Sequence, residues 1–377
     1  MSLSSQPTLC LIHEAIGPYS AIAKIAELQV RTALDAGWSL SVVAKRLDES
    51  LHDRVNWLRL TVPRRMFLLK WLTARHFIRT AIGDRRFDVI HAHQPQVADI
   101  ADVFHCHFLT RVAYERKCLE QRPGLRPRLI RLQQQGVLYA EDRCYRRWNP
   151  ATHMVFCSEL IRREFSRLYG PPPAQEVLVN SCPPIDFPTA DQRLAARRRW
   201  VGNDFKGLVL GYIGGLQERK GFKSVLRALA GKKEIFLLMG GQFTDGFSDP
   251  ALAGRMKSVG LVSDVKSFFH ACDAVIVPSL FEPLGLVAFE AAAAGAPVIA
   301  TEQVGALPHL LEHDAGLLWE QGQDLPALVR LAAAQRARFN AGAVRLAEAI
   351  SEERQSRRLL EIYDEVLRQK HGVLPAK

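Results

Sequence analysis

LCLIHEAIGPYSAIAKIAELQVRTALDAGWSLSVVAK, Leu9–Lys45, sets the architecture of the chain. Leu9–Glu14 is an apolar run of strand length. Gly17-Pro18 turns the chain, and the apolar positions that follow keep helical spacing through Ala36. Gly37 stops that helix, and Ser39–Lys45 is the next strand. Strand, helix and strand in this order make a βαβ unit, so the sheet is parallel. Working outward, Phe87–His93, Ala101–Phe108, His153–Ser158 and Glu176–Asn180 read as further strands, with a helix after Ser158 reaching Leu168. Arg193–Trp200 is short and charged and reads as an interdomain connection. A second series opens with the strand Lys206–Gly214, the helix Gly221–Ala230 and the strand Glu234–Gly241. Short strands follow at Val259–Leu261, Asp273–Ser279, Ala296–Thr301 and Gly316–Glu320, and the pattern is helical from Asp324 to about Gln369. The class is therefore α/β, with two doubly wound halves. Ligands of such sheets sit outside the carboxyl ends of the strands, and two facing sheets place a substrate cleft between domains.

Composition narrows the function. The 377 residues are 48% hydrophobic and 24% charged, ordinary for large cores. No apolar run reaches the roughly 20 residues of a membrane helix. The first residues have no basic region followed by an apolar stretch, so no secretion signal is expected. Seven scattered cysteines form no CxxC pair, which argues for buried free thiols in a reducing cytoplasm over a zinc or redox motif. Net charge is +11, and the surplus sits mainly in the first half. The segment Pro63–Ile82 mixes Arg64, Arg65, Lys70, Arg75 and Arg79 with Phe67 and Trp71. It reads either as a membrane-surface helix or as an ordinary amphipathic helix with a basic outer face. No nucleic-acid-binding motif accompanies the charge.

Three stretches carry chemistry. In PSLFEPLGLVAFEAAAAGAPVIAT, Pro278–Thr301, a strand ends at Ser279, a loop carries Glu282, and Gly285 opens a helix containing Glu290. The first N–H groups of a helix are unpaired and its dipole is positive there, so phosphate binds. Two carboxylates flanking such a site suit a sugar–diphosphate–ribose ligand; a bare phosphate would not need them. In GYIGGLQERKGF, Gly211–Phe222, a glycine-rich loop precedes Arg219 and Lys220, cations that can meet the charge of a departing diphosphate. In the first half, His91 and His93 end one strand and His105 and His107 end another. Alternation puts His105 and His107 on one face. Histidines satisfied in the core are commoner than ligands, and no third metal ligand is identifiable from spacing.

Glu282 and Glu290 stand in the frame PS-x-x-E-P-x-G-L-x-x-x-E-A, which resembles the retaining family-4 glycosyltransferases of E-x7-E type. The resemblance covers most of the second half and, more weakly, the first. It implies a GT-B fold, with two Rossmann-like domains facing across a cleft. The first, acceptor-side domain spans residues 1–186 and is joined by a closing helix at about 352–377; the donor-binding domain spans 191–350. It also implies that Glu282 contacts the donor sugar, that the backbone at Gly285 and Leu286 contacts the diphosphate, and that Glu290 binds the ribose. Where the family has G-R-L-x-x-x-K-G, this chain has Gly215 in place of the arginine and Arg219 beside Lys220. Gly17 stands where the family often has a glycine pair. The family often places a histidine near the anomeric carbon, which points to His107, with His105 in reserve.

The expected protein is a retaining hexosyltransferase that takes a nucleotide sugar, UDP-sugar favoured, to a glycan or glycolipid acceptor of the cell envelope. ADVFHCHFLTRVAYERK and YAEDRCYRRWNPATHMVFCSELI resemble lipopolysaccharide-core enzymes. No DxD motif is evident, and neither cofactor nor metal is expected. The expected place is the cytoplasm, with contact to the inner face of the membrane left open. A GT-B sugar-nucleotide epimerase and an inactive GT-B binding protein are the rival readings.

Overall fold

The computed structural model describes residues 6–61, 67–116, 125–242, 244–320 and 322–372. The chain divides into two compact units. Met1–Tyr114, Glu120–Asn180 and Glu353–Lys377 form the first; Glu115–Leu119 and Ser181–Glu352 form the second.

In the first unit, β1 (Thr8–Ile12) and β2 (Ala15–Ile16) lead into α1 (Ala21–Asp35), then β3 (Ser39–Ala44), β4 (Arg46–Leu47) and β5 (Asn56–Arg59). Next come α2 (Phe67–Ile82), β6 (Val89–Ala92), β7 (Val103–Cys106), α3 (Thr110–Glu115), α4 (Leu125–Tyr145), β8 (His153–Phe156), α5 (Glu159–Tyr169) and β9 (Gln175–Val177). Ser20 caps α1 by accepting from the Ala23 N–H. Seven strands make one sheet in the order β5-β3-β1-β6-β7-β8-β9, and every pairing is parallel. The order reverses between β1 and β6, the switch point of a doubly wound sheet.

The second unit runs α6 (Ala190–Trp200), β10 (Leu208–Ile213), α7 (Phe222–Leu229), β11 (Ile235–Gly240), β12 (Met256–Ser258), α8 (Val265–His270) and β13 (Ala274–Val277). It continues through α9 (Leu286–Ala293), β14 (Val298–Ala300), α10 (Leu307–Glu312), β15 (Gly316–Leu318), α11 (Leu325–Ala334) and α12 (Arg336–Ala349). Its sheet order is β12-β11-β10-β13-β14-β15, again all parallel, with the switch point between β10 and β13. Leu210, Leu237, Ile276 and Ile299 from the strands pack against Val225, Val329 and Phe339 from the helices. The last helix, α13 (Glu352–Lys370), belongs to the first unit, where Leu359, Ile362 and Tyr363 join Leu11, Val42 and Val89 in the core.

Three sequence expectations need correction. Arg193–Trp200 is not a free connection but most of α6. Thr189 and Gln192 form a capping box at its start. Arg193 and Arg197 then clamp the buried carboxylate of Asp273, which also accepts from the Val209 N–H at 2.7 Å. The strand expected at Val259–Leu261 lies earlier, at Met256–Ser258, because an edge strand needs only one covered face. The extended runs around the remaining strands are also shorter: Val103–Cys106 carries the ladder where Ala101–Phe108 was expected. Among the described residues no helix is long and apolar enough to cross a membrane.

Candidate functional site

The site grows from two loops at the carboxyl ends of β10 and β13, the adjacent strands of the second unit's switch point. After β13 the chain passes Phe281, fully buried, and reaches Glu282. The Glu282 backbone is pinned on both sides: its N–H donates to Gln303 O at 2.9 Å, and its carbonyl accepts from the Gly305 N–H at 2.9 Å. Ala306 N–H adds a bond to Leu284 O at 2.7 Å. Gly285 then takes φ +87° as it opens α9, a left-handed conformation that side chains resist. A Cβ there would press on Val304 Cγ1 at 3.0 Å and Glu282 Cγ at 3.1 Å.

The β10 loop comes to meet this one. Tyr212 donates its hydroxyl to Gly215 O at 2.7 Å and fixes the glycine pair. Burial, and then the Glu282 carboxylate, push the Tyr212 phenol upward. Gly221 opens α7 at φ +66°, and a Cβ there would lie 1.8 Å from the Pro278 carbonyl oxygen. Only glycine permits the two loops to lie this close. The Leu280 N–H donates to Arg219 O at 2.8 Å across the same seam.

Arg219 and Lys220 both donate to one oxygen of Glu282: Arg219 Nη1 at 3.0 Å and Lys220 Nζ at 2.6 Å. Arg219 also reaches Phe281 O at 3.2 Å, and the Ser279 hydroxyl stands 3.4 Å from the same Glu282 oxygen. The three charged side chains are a quarter exposed or less, so ligand can reach them. Structure thus brings together Gly215, Arg219, Lys220, Glu282, Gly285 and Leu286. Glu290 lies one turn into α9 with an exposed side chain.

Gly17 and the histidines belong to the first unit. Gly17 is buried at φ +132° between β2 and α1, its N–H donating to Ala23 O. His105 is sealed, 1% exposed, and meets Gln29 of α1 at 3.1 Å. His107 is half-buried, and its Nε2 lies 2.8 Å from His93 Nδ1. Burial above all, and then neighbouring imidazoles, hold His93, His105 and His107 well below the ordinary histidine range. Spacing alone shows no third partner for the His-x-His pairs; the parallel register of β6 and β7 supplies it, setting His91, His93 and His105 side by side. Arg64 and Arg65 lie outside the described residues. Of the other cations in that segment, Arg75 and Arg79 are both taken up by Asp99.

Two parallel, doubly wound units, the second with cations and a carboxylate at its switch point, make the GT-B fold. Residues 20–181 match the family described as glycosyl transferase 4-like domain, and residues 207–334 match glycosyl transferases group 1. The two matches follow one another along the chain, each over less than half of it. It is 28% identical over 332 residues to a D-inositol 3-phosphate glycosyltransferase of Thermobispora bispora, across 77% of this chain and 73% of that one. It spans about three fifths of the length of others of that name. Its fold is similar to that of WaaG, a glycosyltransferase involved in lipopolysaccharide biosynthesis, at TM-score 0.67 and 15% identity, over 96% of this chain and 98% of that one. It is equally similar to the Anabaena protein HepE in complex with UDP and glucose, at TM-score 0.67 and 16% identity, over 96% and 100% of the chains.

Proposed function

We propose that the chain transfers a hexose, with retention at the anomeric carbon, from a nucleotide-diphosphate sugar to a cell-envelope glycan or glycolipid. UDP-sugars are the favoured donors. The observation that carries this is the Arg219–Glu282–Lys220 cluster at the switch point of the second unit. A diphosphate entering there takes the two cations as partners. Glu282, released from them, accepts from sugar hydroxyls. The backbone at Gly285 and Leu286 and the dipole of α9 face the diphosphate, and Glu290 takes the ribose. The Gly215 loop leaves backbone open to the ligand, and Gly17 and His107 serve the acceptor and the anomeric carbon. In transfer, the bond from the anomeric carbon to the diphosphate oxygen breaks, an acceptor hydroxyl oxygen replaces it, and the hydroxyl proton passes to the departing diphosphate. Charge growing on the leaving diphosphate is met by Arg219, Lys220 and the helix dipole, so no divalent cation is needed at that point.

The basic first half complements an anionic acceptor. The HepE complex favours a UDP donor, and the names of the inositol-phosphate relative and of WaaG agree with a phosphorylated or lipid-linked acceptor. Contact with an anionic membrane surface is part of the proposal. Leu69 and Leu72 on α2 and Leu132 and Tyr139 on α4 are exposed, and the two helices pack together. Vesicle binding that is strong with anionic lipid at low salt, and lost at high salt, tests it. Donor assignment is tested by thermal shift with a panel of nucleotide sugars, since a ligand at 100 times its Kd stabilises by about 2.7 kcal/mol. Hydrolysis assays on the hits then follow. No stabilisation by any nucleotide sugar overturns the reading, and an epimerised sugar nucleotide as product replaces it with epimerase chemistry.

A further inference from the structure

Five histidines gather at the carboxyl ends of β1, β6 and β7 in the first unit. His13 follows β1, His91 and His93 close β6, and His105 and His107 close β7. Residues two apart on a strand share a face, and the pairing of His91 with Val103 sets His93 level with His105. His91, His93 and His105 each offer a ring nitrogen, and these lie within 4.8 Å of one another. All three residues are buried.

The hydrogen bonds divide each ring in two. The Nδ1 atoms are engaged: His91 with the Tyr363 hydroxyl at 2.7 Å, His93 with His107 at 2.8 Å, and His105 with the Gln29 amide at 3.1 Å. The Nε2 atoms of all three are sealed from solvent with no hydrogen-bond partner. Gln29 Oε1 is also unpartnered; turning the amide over lets it accept from His105 Nδ1–H. Ligating histidines characteristically hold one nitrogen on an oxygen or another ring and turn the other to the metal. Buried polar atoms are nearly always paired, so three orphaned nitrogens on neighbouring rings point to a missing partner.

We propose that His91, His93 and His105 bind one divalent first-row transition ion, of the zinc class. Three neutral imidazoles without thiolate or carboxylate suit Zn2+ and its neighbours and exclude Ca2+ and Mg2+, which take oxygen ligands. The rings lie nearly parallel, 4.8–6.1 Å apart by centroid. Uptake of the ion requires them to turn about the soft Cβ–ring torsion until the lone pairs converge. Beside His105 is a cavity of about 30 Å3, lined also by Gln29, Thr32, Asn180 and Gln355. It has room for a water beside His105. The ion clasps β6 and β7 to α1 through Gln29 and to α13 through Tyr363. Arg219 and Lys220, which meet the diphosphate, belong to the other unit.

The test reads binding and not transfer, so its failure is separate from failure of the donor assignment. Tag-free full chain, stripped with a chelator, is titrated with Zn2+ by calorimetry and with Cu2+ followed by electron paramagnetic resonance. The expected result is one tight equivalent, a raised Tm, and superhyperfine splitting from three nitrogens. His93→Gln and His105→Gln should each weaken Zn2+ binding at least tenfold. A His309→Gln/His313→Gln variant, which removes the pair four residues apart at the end of α10, should leave it unchanged. Absence of stoichiometric uptake, a copper spectrum of oxygen ligands, or full affinity in a folded His93→Gln/His105→Gln chain overturns the proposal. The copper spectrum of the unaltered chain decides the matter even if the variants fail to fold.

Discussion

Glu282→Gln should make the chain bind UDP more tightly while abolishing sugar transfer. Without ligand, one oxygen of Glu282 takes both Lys220 at 2.6 Å and Arg219 at 3.0 Å. A diphosphate must displace that carboxylate before it can hold the cations. Two unit charges about 4 Å apart interact by ~4 kcal/mol at an effective dielectric of about 20. Both cations keep roughly a quarter of their side-chain surface in water, and the glutamine amide still accepts one bond, so most of this is screened or retained. A remainder of about 1–2 kcal/mol corresponds to roughly five- to thirtyfold tighter UDP binding. Sugar hydroxyls lose their charged acceptor at the same time, so turnover should fall. Calorimetry with UDP and with the intact donor separates the two effects. Weaker or unchanged UDP affinity in folded Glu282→Gln would show that the cluster does not compete with diphosphate.

Other outcomes follow from the same geometry. Lys220→Ala and Arg219→Ala should each depress turnover more than donor binding, about ten- to a hundredfold, because leaving-group charge grows toward the transition state; a silent Arg219→Ala in steady-state kinetics would leave Arg219 only a structural part, through its bonds to Phe281 O and Glu282. Asp273→Ala should cost about 3–5 kcal/mol in chemical denaturation, since it strands Arg193 and Arg197 without their buried counter-charge; a loss below 1 kcal/mol would contradict this estimate. Glu141 accepts from Thr110 and Arg111, yet burial raises it to about 7. The folded chain therefore holds a proton that the unfolded chain releases near its ordinary value. Stability from this group is full at acid pH and is lost as pH rises through about 7, a span worth roughly 3 kcal/mol. Glu141→Gln should flatten that part of the pH–stability curve, and identical curves for the two chains would refute the assignment.

How much of this could be read from the residues depended on distance along the chain. The βαβ alternation is local, and Leu9–Lys45 shows both sheet direction and class. The Glu282 loop was legible because a single frame holds the strand end, the carboxylate and the helix opening. Contact between that loop and Lys220 was not, since it crosses 62 residues and needs Gly221 to pass under Pro278. Helix α6 was missed for the same reason. Its arginines look solvated until Asp273, 80 and 76 residues away, comes to meet them. Helix α4 was hidden by its many arginines and glutamines, which thin out the apolar period. The third histidine of the cluster depends on strand register, and register is a property of pairing and not of either strand alone.

The first unit is discontinuous: Leu359, Ile362 and Tyr363 of α13 fill its core, although nearly all of the second unit, Ser181–Glu352, lies between them and β9. A nascent chain leaving the ribosome therefore exposes the seat of α13 throughout synthesis of the second unit. At translation rates of about 5–20 residues per second that wait is roughly 10–30 s. The second unit, nearly all of it in the one stretch Ser181–Glu352, can close first. The earlier-made half matures last, with an apolar strip open to chaperones or to neighbouring chains in the interval. Stop codons or proteolytic cuts just before Glu352 would therefore harm the half of the protein farthest from them in sequence.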